Sequence, residues 1–435
     1  MKPVSNLEPE LLESVAPAKA LNVALIGFGT VGSSVARILA ERAPAELRLT
    51  HVFNRNVARK RVAWLPDTIH WTENIEDVFS SEVNIVVEVI GGLEPAGTWV
   101  RRALGSAKSV VTANKQLIAR DGNDLVRLAR EHGQHIAFGA SVAGGVPVIS
   151  GLHDGLAGDE LVRLCGILNG TCNYILTRIE RSGVSFEEAL REAQKLGFAE
   201  ANPAEDVDGF DARAKLAILI RTGLHAAVDP AAIVARSISG IEPVDFEYAK
   251  LLNCTIRQIS RAEVSDEKLL ASVEPTLVHE SSPLADVEGP QNLVMSTGKF
   301  GGETVFAGHG AGGNPTAVAV VSDLIAIARS RELSGGFFDE SEFPIFSVSS
   351  DFTSRHYLRF TVRDEPGIIA TLAAIFARLG INIDSVFQKP GYPAARLPFV
   401  ITLEPCPASW IKGALNEIAK QKFLVEPCLH LAILD

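Results

Sequence analysis

LNVALIGFGTVGSSVARILAERA, residues 21–43, starts as an apolar run of strand character and ends with apolar residues at helical spacing. Between them Gly27, Gly29 and Gly32 form G-x-G-x-x-G at a strand-to-helix junction, the context in which this motif carries meaning. The first glycine permits the tight turn, the second lets a pyrophosphate approach the backbone, and the third allows close helix–strand packing. Thr30 and Val31 open the helix, whose free N–H groups and dipole favour an anion at that end. Residues 21–43 therefore predict a dinucleotide site built on Gly27, Gly29, Thr30, Val31 and Gly32. The next strand, LRLTHVFN at 47–54, ends on a neutral Asn54 followed by Arg55, with Arg59, Lys60 and Arg61 close behind. A carboxylate there would select a ribose 2′-hydroxyl, whereas a neutral residue and a cation suit a 2′-phosphate. The pattern favours NADP(H) and leaves NAD(H) open.

Outward from this unit the chain alternates further strands and helices: VNIVVEVIGG and a helix from about residue 94, SVVTANKQ and a helix from about 121, then HIAFGAS. That alternation predicts an α/β fold with an open, Rossmann-type parallel sheet over residues 21–150. Lys115 falls just past a strand end, and in such sheets ligands bind at the carboxyl ends of strands. The flanking regions set limits. The N-terminal residues 1–20 lack the apolar centre of a secretion signal and read as a tail. The chain of 435 residues carries a net charge of −11 and no basic cluster backed by aromatics, which argues against nucleic acid. No apolar run is long enough for a membrane span. Five scattered cysteines without a CxxC pair point to reduced thiols, with neither disulfide framework nor zinc site, and to a cytoplasmic protein.

The chemistry concentrates in AQKLGFAEANPAEDVDGFDARAK, residues 193–215. A helix with Ser185 and Glu188 at capping-box spacing runs out at Gly197, a C-cap position. An acidic loop with Glu200, Glu205, Asp206 and Asp208 follows. Asp211 and Lys215 then stand four apart on one helix face, ahead of the apolar run LAILI. Acidic loops and Asp–Lys pairs often decorate solvated surfaces and contribute little there. The spacing of Ala193, Gly197, Phe198, Asn202, Pro203, Asp206, Gly209, Asp211 and Lys215 together, however, resembles the signature of homoserine dehydrogenases.

That resemblance extends over residues 21 to about 330. It implies reduction of an amino-acid aldehyde, aspartate 4-semialdehyde, to homoserine, with Lys215 as proton donor and Lys115, within TANK, beside it. It implies that Thr171, Glu200, Asp206 and Asp211 contact the amino-acid substrate, although the Thr171 hydroxyl also stands where it could cap a helix. It places Gly197 and Gly312, the latter in GHGAGGNPT, at the cofactor along with Arg55 and Lys115. In GASVAGGVPVI, residues 139–149, it places a sodium ion on the backbone of Val142, Gly144 and Val146. The chain departs from the family at Gly139, where a glutamate is common. Residues 151–314 are expected to form an α+β substrate-binding and dimerisation domain, with strands at TIRQISRAEVS, KLLASVEPTLV, NLVMSTGKF and ETVFAGH, and with the helix at about 315–330 completing the first domain. The other readings of this core are a different amino-acid dehydrogenase on the same scaffold, or a non-catalytic amino-acid sensor, which would have no need of Lys215.

Residues 331–352 read as a linker. Beyond them, 353–435 follow a βαββαβ order that resembles an ACT domain, a small amino-acid-sensing module, with DEPG at 364–367 and LGIN at 379–382 in the expected turns. The resemblance implies an amino-acid effector, threonine in this pathway, and a homodimer or homotetramer. The linker predicts a separable module, so a chain cut near Ser350 is expected to stay active.

Overall fold

A computed structural model describes residues 20–265, 268–330 and 346–434. The expected tail, and the linker up to residue 345, lie outside the described residues. Six parallel strands form the first sheet in the order β3-β2-β1-β4-β5-β6. They are β1 (Leu21–Ile26), β2 (Leu47–Phe53), β3 (His70–Thr72), β4 (Ile85–Glu88), β5 (Ser109–Thr112) and β6 (Ile136–Ala137). This order reverses direction between β1 and β4, and a crevice opens there at the carboxyl ends of the strands. β4 and β5 are buried along their whole length, as expected for strands covered by helices on both faces. Gly32 has to be glycine: a Cβ there would stand 2.1 Å from the Gly27 carbonyl oxygen. The helix Gly313–Ser330 returns to this domain through Ala317, Val320, Val321 and Leu324, which share a core with Val23, Leu25 and Val35.

One helix begins earlier than its sequence suggests. Lys115–Glu131 is helical throughout, rather than from about residue 121, because the Asn114 side chain accepts the Leu117 N–H at 3.1 Å and caps it. Lys115 is thus the first residue of a helix, not part of a loop.

The second sheet starts from β7 (Leu161–Ile167). After the short β8 (Val234–Ala235) come β9 (Cys254–Ser265), β10 (Lys268–His279), β11 (Gln291–Gly298) and β12 (Gly302–His309). The four strands expected at 254–309 are all present, antiparallel along β9–β10 and β11–β12. The helix Phe210–Leu224 packs in the main core, with Leu216, Ala217, Ile218, Leu219 and Ile220 all buried. The apolar run LAILI thus lies deep in the core.

The C-terminal region contains the short β13 (Val348–Ser349), then β14 (Thr353–Val362), β15 (Ile383–Gln388), β16 (Leu397–Pro407) and β17 (Leu429–Leu434), with helices Ile368–Arg378 and Ala408–Ile418 in βαββαβ order. Its sheet is not a free-standing appendage. β17 pairs in parallel with β10, Thr276 opposite Ala432 and Val278 opposite Leu434, and so joins both regions into one hydrogen-bonded sheet. The strand patterns at 268–278 and 429–434 were legible singly, but the pairing between them, over a large sequence separation, was not.

The junction contains a polar chain whose direction is set by its ends. Arg236 Nη1 lies 3.3 Å from His430 Nδ1, His430 Nε2 lies 3.0 Å from His356 Nδ1, and His356 Nε2 lies 2.9 Å from the Cys406 carbonyl. Because the arginine can only donate and the carbonyl can only accept, both imidazoles must be neutral with the proton on Nε2. Burial lowers both imidazole pKa values, that of His430 well below its ordinary range. The unfolded rings take up protons near the ordinary value of about 6.5, and the folded ones resist. Stability at this junction is therefore complete above that pH and declines as pH falls below it, until the folded rings themselves take up protons. Melting temperature followed from pH 7.5 to 5.5 should fall less steeply in His356→Gln than in the wild type; equal slopes would show that the pair does not contribute.

Candidate active site

Two helix N-termini and one loop converge where the two sheets meet. A cavity of about 470 Å³ opens at the carboxyl ends of β1, β4 and β5. Thr30, Val31, Ile90 and Gly91 line one side, Gly144 and Gly310–Gly313 another, and Lys115 and Lys215 stand together in its wall. This volume lies within the usual range for a ligand site. Gly144, at φ +50°, passes so near the Gly310 carbonyl that a Cβ would come within 2.6 Å of its oxygen. The Gly310–Gly313 turn thereby closes over the first domain.

Both lysines are held by one carboxylate. Lys215 Nζ donates to Asp211 Oδ2 at 2.7 Å and to the Leu168 carbonyl at 2.8 Å, and Lys115 pairs with Asp211 Oδ1. The Asp211 side chain is 4% exposed, that of Lys215 12% and that of Lys115 38%. Burial alone would raise the Asp211 pKa, but Lys215 and Lys115 outweigh it and hold the carboxyl well below its usual range. Burial likewise acts against the Lys115 cation, yet Asp211 prevails and the pKa is raised. Lys115 thus stays protonated at neutral pH, as a proton-donating group must before it acts.

Asp211 was expected to hold the substrate ammonium. Both its oxygens are instead engaged by lysines, and it sits beneath them, outside the cavity lining. Asn169 is the residue that sequence reasoning missed. Its Nδ2 donates to Asp206 Oδ1 at 2.7 Å and to Asp211 Oδ2 at 2.8 Å, while its Oδ1 accepts the Cys172 N–H at 2.8 Å. Asn169 therefore caps the helix Gly170–Ser182 and joins two acids that lie 37 and 42 residues further along the chain. The signal that could have found it is its residue type, since Asn at the end of a strand and ahead of a helix is a favoured N-cap.

Asn169 thus takes the capping position open to Thr171, whose hydroxyl donates to the Phe198 carbonyl at 2.7 Å and ties down the acidic loop. Asp206 is half-buried, and burial raises its pKa, against the Asn169 hydrogen bond that lowers it. Glu200 is exposed and does not line the cavity. Gly197 is also absent from the lining; at φ +79° it ends the helix Phe186–Lys195, its N–H reaching the Gln194 carbonyl at 3.1 Å. Gly27, Gly29 and Gly32 shape the turn behind Thr30 and Val31. Arg55 is exposed in the turn after β2, and Gly312, at φ +115°, faces the cavity. No helix among the described residues is long and apolar enough to cross a membrane.

Comparison with known proteins agrees with this geometry. Three family models match: "Homoserine dehydrogenase, NAD binding domain" over residues 27–139, "Homoserine dehydrogenase" over 147–325 and "ACT domain" over 356–407. The homoserine dehydrogenase of Bacillus subtilis is 38% identical over 382 residues, covering 86% of this chain and 88% of its own. The crystal structure of a homoserine dehydrogenase from Thiobacillus denitrificans superposes with a TM-score of 0.89 at 32% identity, covering 96% of this chain and 99% of its own. A hyperthermophilic archaeal homoserine dehydrogenase, solved in complex with NADPH, matches at 27% identity with a TM-score of 0.61, over 72% of this chain and 98% of its own. With a nicotinamide-dinucleotide domain, a lysine pair at its mouth and relatives of this similarity over most of its length, the chain belongs to the homoserine dehydrogenases, oxidoreductases that act on a CH–OH group.

Proposed function

We propose that this enzyme reduces L-aspartate 4-semialdehyde to L-homoserine with NADPH. The observation that carries the reading is the pair of ammonium groups in the cavity wall, both held by one buried carboxylate. When bound, the reduced nicotinamide supplies a hydride to the aldehyde carbon. The carbonyl oxygen then gains negative charge, which Lys215 and Lys115 are placed to stabilise, and one of them gives it a proton. Asp211 keeps both cations in position, and Asp206, with Oδ1 held by the Asn169 amide, is the acid we assign to the substrate ammonium, although like Thr171 and Glu200 it stands outside the cavity lining. The direct test is turnover of aspartate semialdehyde with NADPH and with NADH. A chain inert on this substrate but active on another amino-acid aldehyde or ketone would overturn the reading.

The choice of NADPH rests on Arg55. Removing its guanidinium in Arg55→Ala is expected to weaken NADPH by about 1.5–3 kcal/mol, the worth of a charge-assisted hydrogen bond, and to leave NADH nearly unchanged. Titration of both cofactors checks this, and equal losses would make Arg55 structural. A sodium ion has less support. The Val146 carbonyl already accepts the Val148 N–H at 2.8 Å, and the carboxylate near Gly139 is that of Asp323, which accepts the Gly139 N–H at 2.8 Å. An ion on Val142, Gly144 and Val146 would have backbone oxygens, and it would serve to steady the loop.

For the C-terminal module we propose an amino-acid effector, threonine, at the turns 364–367 and 380–382. These turns stand at opposite ends of the helix Ile368–Arg378, which at 1.5 Å per residue spans about 16 Å. One amino acid can touch both only across two copies of the chain, in keeping with a homodimer or a homotetramer. None of the five cysteines forms a disulfide, which accords with a cytoplasmic setting.

A further inference from the structure

β4 ends on a charged residue that none of the chemistry above uses. Glu88 is fully buried, and its carboxylate accepts three hydrogen bonds from neutral donors. Oε1 takes the N–H groups of Ile90 at 2.9 Å and Gly91 at 3.0 Å, and Oε2 takes the Thr112 hydroxyl at 2.6 Å. The same Thr112 oxygen accepts the Asn114 N–H at 3.0 Å. Asn114 in turn donates through Nδ2 to the Gly92 carbonyl at 2.6 Å and caps the helix that begins at Lys115. These contacts close a ring from residue 88 through 112, 114 and 92 and back. On one side it holds the Ile90–Gly91 turn in the cavity wall, with Gly91 at φ +71°; on the other it holds the first turn of the Lys115 helix.

We propose that Glu88 is a positioning residue for the reaction, setting the cofactor-facing turn and, through Thr112 and Asn114, the placement of the Lys115 ammonium. The inference rests on the role given to Lys115 above. A carboxylate is needed because all three neighbours donate. In Glu88→Gln, which has nearly the same shape, an amide NH₂ must face either the Thr112 hydroxyl or a backbone N–H. If it faces Thr112, the hydroxyl oxygen accepts twice and its own hydrogen loses its buried acceptor.

The test is a double-mutant cycle on the full chain with aspartate semialdehyde and NADPH, using Glu88→Gln, Lys115→Met and both together. Glu88→Gln is expected to lower kcat about tenfold, the effect of one misplaced or unmade buried hydrogen bond, with the KM for the amino-acid substrate within about twofold. On the Lys115→Met background the same substitution should cost clearly less than on the wild type, because the share of its effect that passes through the ammonium is already lost. Full additivity in the double variant, or normal kcat in Glu88→Gln, would overturn the proposal. Normal turnover in Lys115→Met would instead remove Lys115 from the mechanism, and the proposal with it. Should Glu88→Gln fail to fold, the pair Thr112→Val and Thr112→Ser decides. The valine should reproduce the tenfold loss and the serine should restore most of it; equal activities would refute the relay.

Discussion

Lys215→Ala is expected to keep cofactor binding and the native melting transition while lowering turnover by about 10²-fold or more, the usual scale for a positioned acid. Lys215 Nζ is anchored by the Leu168 carbonyl and Asp211, so its position is decided before substrate arrives. Little else in the protein depends on it. Removing it uncovers Asp211, whose second oxygen keeps the Lys115 cation, so the fold survives. Steady-state turnover together with a cofactor titration makes the comparison, and near-normal turnover would exclude Lys215 from proton transfer. A companion substitution separates positioning from binding. Since Asp211 lies under the lysines, Asp211→Asn should lower kcat; a change confined to KM would return Asp211 to the substrate.

The second large effect concerns the C-terminal region. Deleting residues 351–435 is expected to yield aggregated or unfolded protein, contrary to what the linker-like stretch before it implied. Deletion strips β17 from β10 and leaves the interior strand edge at Thr276–Val278 unpaired. It also exposes a shared core. Ile256, Leu277 and Tyr248 pack in one cluster with Tyr357, Val400, Leu431 and Ile433. Each such side chain returned to water costs about 1.5–3 kcal/mol, so a handful consumes much of a typical stability of about 5–15 kcal/mol. The buried Asp245 carboxylate would lose the Tyr357 hydroxyl and the Arg359 guanidinium, each at 2.8 Å. Size-exclusion chromatography and circular dichroism of the deleted chain give the answer. A soluble, monodisperse and active product would mean that the catalytic unit does not need the added strands. The proposed sensitivity to threonine is then better tested by substitutions in the turns at 364–367 and 380–382 than by truncation.

The same contacts offer a route between module and site. Arg359 donates to the Gly240 carbonyl at 3.0 Å, and nearby the Ile238 N–H reaches the carbonyl of Val207, the residue after Asp206, at 3.1 Å. A shift of β14 would therefore be felt one residue from Asp206, the acid proposed to meet the substrate. Effector control needs such a coupling, of typically about 1–3 kcal/mol.

Much of this protein was legible in local sequence, because the forces concerned act over a few residues. G-x-G-x-x-G between a strand and a helix specifies its own turn, since a Cβ at Gly32 would collide with the Gly27 carbonyl. The four-residue spacing of Asp211 and Lys215 is enough to bring their side chains together on one helical turn. Period and turn residues likewise defined the βαββαβ order of the last 80 or so residues. What the sequence could not decide were contacts whose partners meet only after folding. Asn169 lies 42 residues before Asp211, and nothing near it announces that its amide will bridge two acids. Asp211 carries a carboxylate suited to binding an ammonium group; only packing beside Lys115, from the other domain, turned it into the anchor of two lysines. The register of β10 on β17 depends on apolar strands separated by about 150 residues, and strand edges carry no label for a distant partner. Local chemistry made the elements and named the family, whereas long-range burial assigned the acids their partners and fused the C-terminal module to the catalytic sheet.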